Sequence, residues 1–159
     1  MYKRQVFKEN IGPPAYAQGS TITVKAPWIR SRPDDFGAVI HEMVHVMQRY
    51  PNGGNKPGWL VEGIADYIRW WRYEPESPRI PINTAKASYR DSYRTAAWFL
   101  AWASAKYDRG LVRKLDAALR TRSYKDDIFK DVTGKPLDDL WAEFIAALQK
   151  TSLSQRTAN

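Results

Sequence analysis

The chain has no cysteine, which excludes disulfides, thiolate metal ligands and cysteine nucleophiles together. No run approaches the ~18 to 20 apolar residues of a membrane-spanning helix, so no membrane span is expected. The opening Met1-Tyr2-Lys3-Arg4-Gln5 is charged with no apolar stretch behind it, and it does not read as a signal peptide. Repeats, low-complexity tracts and interdomain linkers are missing, and 159 residues suit one domain. Histidine is scarce: the chain holds 2. Any chemistry that needs imidazole must use those two.

Positive charge and aromatic side chains are plentiful. Lys+Arg 25 against Asp+Glu 17 gives a net charge of +8. The densest basic set, Arg109, Arg113, Lys114, Arg120, Arg122 and Lys125, lies on one predicted helix and its exit, and reads as a solvated face. Zinc-finger and RNA-module signatures are missing, so no nucleic-acid partner is expected. Aromatics at 13% of residues fit a firm core or an adhesive groove.

Hydrophobic patterning predicts an α+β fold, a small N-terminal antiparallel sheet followed by a mostly helical body. Gln5-Val6-Phe7 and Thr21-Ile22-Thr23-Val24 read as strands, separated by the turn-rich Gly12-Pro13-Pro14 and Gln18-Gly19. Helices are expected from Pro33 to about Tyr50, from Gly58 to about Tyr73, and over 88–107, 110–121 and 136–149. One domain spans 1–159, with its core at about 5–149 and a disordered tail over 150–159. The strand near Thr21 to Lys25 is expected to be the sheet edge lining a cleft.

The first of these helices contains His41-Glu42-Met43-Val44-His45. Histidines four apart project from one helix face, which suits two imidazoles on a single Zn²⁺, with the intervening Glu42 as general base toward water at the metal. Phe36, Val39, Ile40, Met43, Met47 and Tyr50 cluster on nearly the opposite side and form the expected apolar stripe. Another element must therefore meet the histidine face.

The following helix supplies one. In Gly58-Trp59-Leu60-Val61-Glu62-Gly63-Ile64-Ala65-Asp66-Tyr67, the stripe of Leu60, Ile64, Tyr67, Ile68 and Trp71 leaves Glu62 and Asp66 pointing elsewhere. A tight Pro/Gly reversal would make the two helices antiparallel and bring Glu62 level with His45, as a third ligand with one position left open. Asp66, one turn on, is placed to hold the outer N–H of His41. Gly63 costs about 1 kcal/mol in a helix interior, a cost explained if it lets these two helices approach.

His41 to His45 followed by Glu62 to Asp66 resembles the gluzincin metallopeptidases, which pair H-E-x-x-H with E-x-x-x-D. The wording of residues 58–67 is similar to that of the basic secretory protein family of plants and bacteria. So are Tyr93-Arg94-Thr95-Ala96-Ala97-Trp98-Phe99-Leu100, Phe129 to Lys135, and Leu140-Trp141. The resemblance covers roughly Gln18 to Leu148. It implies zinc ligands His41, His45 and Glu62, a general base at Glu42, a zincin-like fold, a peptide or protein substrate, and a secreted or periplasmic location.

An oxyanion formed on a peptide carbonyl needs a hydrogen-bond donor besides the metal. Without a third histidine, Tyr93 is the first candidate, with Arg94, Tyr89 and Tyr67 behind it. Trp98 and Trp102, on the far side of that helix, are expected in the core. The expectation is thus a zinc-dependent peptidase, most simply an endopeptidase. Two alternatives stand beside it: a zinc amide hydrolase acting on a cell-wall or other non-protein substrate, and a non-catalytic module for anionic polymers with a structural zinc.

Overall fold

The computed structural model describes residues 4–157, with side chains through Ser152. Strands β1 (Arg4–Lys8), β2 (Ala15–Gln18) and β3 (Thr21–Lys25) come first. Helices α1 (Ala26–Ser31), α2 (Gly37–Gln48), α3 (Gly58–Tyr67), α4 (Tyr93–Lys106), α5 (Leu111–Arg120), α6 (Asp127–Thr133) and α7 (Leu137–Thr157) follow. This is the expected α+β order of a small sheet and then a helical body.

The sheet itself differs from expectation. Its order is β1-β3-β2, with β1 parallel to β3 and β2 antiparallel to it, so it is mixed rather than antiparallel. The additional strand β2 forms a hairpin with β3 through Gly19, whose φ of 61° suits a residue without a side chain. Consequently β3 is central, and the free edge belongs to β2 instead of the Thr21–Lys25 strand.

Helix α2 lies between the sheet and α3. Val39, Met43 and Val46 pack on Ala15, Ile22 and Val24 of the sheet. The expected stripe is only partly covered: Phe36 and Met47 are 54% and 53% exposed, while His41 and Gln48 are buried. The face carrying the imidazoles is thus turned inward against α3. Helix α2 also starts later than Pro33. The Asp35 carboxylate accepts Trp28 Nε1–H at 2.9 Å and pairs with Arg69 at 2.8 Å, which holds the residues before Gly37 in turns.

Helices α3 and α4 form the centre of the main core. Gly63 matters there, because a Cβ at that position would lie 2.8 Å from Ala96 Cβ of α4. Its close approach is therefore to α4, not to α2. Phe99 of α4 anchors an aromatic cluster with Tyr89, Trp102, Phe129, Trp141 and Phe144, burying large apolar areas. Trp98 and Trp102 pack against this core as expected. Helix α7 runs to Thr157, past the helix end expected at about 149 and into the expected tail, whose last two residues lie outside those described.

Two irregularities bear on the site. Helix α3 widens at its end into a π-helical stretch, Ile68–Tyr73, which carries Trp70 and Trp71. Helix α4 is entered through Ser92 (φ 62°, ψ −165°) and Tyr93 (φ 46°). Such conformations in non-glycine residues cost on the order of 1–3 kcal/mol each and cluster at functional sites.

Candidate metal centre

The inward face of α2 and the facing turn of α3 bring three ligand atoms into a near-equilateral triangle. His41 Nε2 and His45 Nε2 are 3.0 Å apart, and Glu62 Oε2 lies 3.2 Å from the first and 3.3 Å from the second. Donors ~2.1 Å from one tetrahedral ion stand about 3.4 Å from each other, close to what is seen. The buried His-His-Glu set could hold a metal ion.

The remaining nitrogens explain why these faces converge. Asp66 Oδ1 lies 2.7 Å from His41 Nδ1, and a carboxylate can only accept there, so Nδ1 carries the proton. Gln48 Nε2 donates to the Val61 carbonyl at 2.9 Å, which turns Gln48 Oε1 toward His45 Nδ1 at 2.8 Å. Both rings thereby aim Nε2 at the triangle, where neutral rings present lone pairs that repel one another unless a cation sits among them.

The electrostatics repeat that preference for positive charge. Burial disfavours the charged form of His41, but the hydrogen bonds it donates to Asp66 and Glu62 outweigh it and raise its pKa to about 9. His45 is also raised, against burial, chiefly by Glu62 and Gln48. Burial opposes ionisation of Glu62 as well, yet both imidazoles hold its pKa down at about 2.

Glu42 stands beside the triangle and lines the same cleft, a space of about 720 Å³. Burial raises its pKa, partly offset by the two imidazoles and by the backbone N–H of Ala17. Residues Pro14 to Ala17 form the opposite wall. Lys25 N–H donates to the Pro14 carbonyl at 2.8 Å. By antiparallel alternation, Tyr16 faces β3 and the polar groups of Ala15 and Ala17 point to the free edge.

Of the candidate oxyanion donors, Tyr93 lines the cleft and is 55% exposed, its ring 6.1 Å from that of His41 and inclined by 22°. Arg94 also lines the cleft, stacked over Trp70. Tyr89 is buried and donates to Asp138 at 2.8 Å, and Tyr67 packs on the core. Neither of these two lines the cleft. The sequence pattern gives no warning of Gln48 or of the β2 edge.

A family model described as peptidase of plants and bacteria matches residues 5–144. The chain belongs to that family. The match spans the sheet, the three-donor cluster and every helix through α6, together with the first turns of α7. No curated protein and no solved structure matches the chain. Family membership points to a peptide or protein substrate, and no helix among the described residues is long and apolar enough to cross a membrane.

The dense basic set is partly neutralised within the molecule. Lys114 pairs with Asp108 at 2.6 Å. Arg120 pairs with Asp116 and donates to the Met47 and Gln48 carbonyls at the end of α2. Arg120 thus serves the C-terminus of the helix that carries the imidazoles.

Proposed function

We propose that this chain is a zinc-dependent peptidase in which His41, His45 and Glu62 hold the ion. The observation that carries this reading is the triangle of two Nε2 atoms and Glu62 Oε2, set beside Glu42 in a cleft walled by a free strand edge. Nitrogen and carboxylate donors suit zinc, and three converging donors leave a coordination position open. Structural zinc sites are normally closed by four protein ligands, which favours catalysis over a purely structural ion.

When bound, zinc supplies Lewis-acid polarisation of the scissile carbonyl and acidifies a water. The chain's own residues do the rest. The free edge of β2 aligns an extended substrate through the polar groups of Ala15 and the carbonyl of Ala17, as strand addition does elsewhere. Glu42 takes the proton from water and delivers it to the leaving nitrogen, and its raised pKa suits a group that must both accept and release a proton. Tyr93 keeps its phenolic proton, because the charges of Glu62, Asp66 and Glu42, together with burial, raise its pKa. It donates to the carbonyl oxygen as negative charge develops.

The test is Glu42→Gln. It is expected to retain one zinc per chain by elemental analysis while hydrolysis of casein falls at least ~10²-fold. Treatment with a chelator abolishes activity in the parent and zinc restores it. A Glu42→Gln protein as active as the parent overturns the reading. Cleavage of a cell-wall amide with casein left intact would reassign the substrate.

A further inference from the structure

A second cavity, of about 340 Å³, opens beside the cleft and shares Trp70, Asp91, Arg94 and Thr95 with it. Trp71 comes from the π-helical turn, Trp98 from α4, and Ile80, Pro81 and Ile82 from the irregular connection between them. The volume lies at the small end of the ~300–1,000 Å³ typical of ligand pockets, room for a side chain rather than a folded partner. His41, Glu42, His45, Glu62 and Tyr93 do not line it.

Its charges are unbalanced. Arg79, Lys86 and Arg94 face one carboxylate, Asp91. Asp91 is engaged by the Ser88 backbone N–H at 2.7 Å. Arg79 is engaged too: it donates to the carbonyls of Ser77, Trp70 and Pro75 and lies 4.3 Å over the Trp71 ring. Lys86 is exposed.

Arg94 is different. It is half-buried, and its guanidinium lies 3.8 Å from the Trp70 ring centroid. No carboxylate among the described residues hydrogen-bonds to it, and burial together with Arg69 pushes its pKa down against the weaker opposing pull of Asp66, Glu74 and Asp35. A guanidinium stacked on an indole still offers the N–H groups of its planar fork, which match a carboxylate. A half-buried charge with no hydrogen-bonded counter-ion carries a desolvation cost that the more distant carboxylates only partly meet and that an anionic ligand offsets. The residue lines both the cavity and the cleft, and β2 lines that same cleft.

We propose that this cavity is a substrate subsite that takes a bulky apolar side chain, and that Arg94 at its threshold pairs with a carboxylate on the same peptide. The inference rests on the peptidase reading and specifies its substrate: a segment in which a large apolar residue adjoins an acidic group. That group is either an Asp or Glu side chain or the terminal carboxylate of the chain being cut.

The experiment uses zinc-loaded Glu42→Gln protein and acetylated hexapeptides that differ only in a central Phe-Asp or Phe-Asn, each with a C-terminal amide. A third peptide carries Phe-Asn at its end with a free carboxylate. Binding is followed by tryptophan fluorescence, and cleavage by the parent enzyme is followed by mass spectrometry. At least one acidic peptide should bind ~10-fold more tightly than the neutral one, the range of a charge-assisted hydrogen-bonded pair. Which acidic peptide gains identifies the source of the carboxylate.

Arg94→Gln should bring the acidic-to-neutral ratio close to 1, and Arg94→Lys should retain part of it. Replacing Phe by Ala should weaken binding to the parent cavity more than to Trp98→Ala. Equal binding of all three peptides to the unmutated cavity, with cleavage by the parent intact, overturns the subsite and leaves the peptidase reading standing. Selective binding of the acidic peptides with no cleavage by the parent upholds the subsite and sinks the peptidase reading. The peptide comparison needs no change at Arg94, so a misfolded variant would not obscure it.

Discussion

Asp66 Oδ1 lies 2.7 Å from His41 Nδ1, while Nε2 of the same ring faces Glu62 Oε2 at 3.2 Å. One carboxylate on α3 thus orients the imidazole and another, a turn earlier, shares its ligand-bearing side. Removing the orienting group by Asp66→Ala should lower metal affinity by ~10- to 100-fold, read by competition with a coloured chelator. Circular dichroism should show the helices retained. Unaltered affinity would mean that packing alone fixes the His41 ring.

The charge preferences of the centre make a pH prediction for metal-free protein. Against burial, hydrogen bonds to Asp66 and Glu62 raise the His41 pKa in the folded chain to about 9, from an ordinary value of 6.5. Because the folded value is the higher one, its contribution to stability is fully present below pH ~6.5 and is lost as pH rises through ~9. Denaturant midpoints of the metal-free protein should therefore fall across that window from this group. Uptake of zinc displaces the proton, so calorimetric heats should vary with the ionisation enthalpy of the buffer.

The imidazole pair, Glu42 and the Glu62/Asp66 couple were legible because a helix repeats its faces at fixed spacing, so one pentapeptide and one E-x-x-x-D set the phase of both helices. Gln48 was not. A glutamine at a helix end looks like surface until α3 folds over it and leaves it 3% exposed. β2 was hidden for another reason: Ala15-Tyr16-Ala17-Gln18 follows two prolines and lacks the β-branched residues that mark β3. The phase of α2 also misled, since its apolar residues are divided between the sheet and a half-open groove beside α5.

Gln48 links the two helices by accepting from His45 and donating to Val61. Gln48→Leu preserves bulk but leaves a buried His45 N–H and the Val61 carbonyl without these partners. The expected loss is about 1–3 kcal/mol of unfolding free energy, with weaker metal binding in addition. Urea titration of metal-free and zinc-loaded forms separates the two effects.

At Gly63 the prediction concerns space. A methyl group there would lie 2.8 Å from Ala96 Cβ, so Gly63→Ala must push α3 from α4 and should cost about 1–3 kcal/mol despite its better helix propensity. The pair Gly63→Ala with Ala96→Gly should recover part of that loss, because it returns the missing volume on the other helix. A double-mutant cycle measures the recovery directly.

Tyr93 offers the sharpest test of how the chain stabilises charge. Two consecutive non-glycine residues with positive φ, Ser92 and Tyr93, set its ring beside His41 at the cleft wall. An exposed tyrosine with no role at the cleft would not account for strain of this kind. Tyr93→Phe keeps the ring and its packing but removes the donor, so kcat should fall by ~10² or more, with zinc content and KM changing little. A fall confined to KM would make Tyr93 a substrate-binding wall. An unchanged kcat would transfer the oxyanion role to another donor lining the cleft, with Arg94 the next to test.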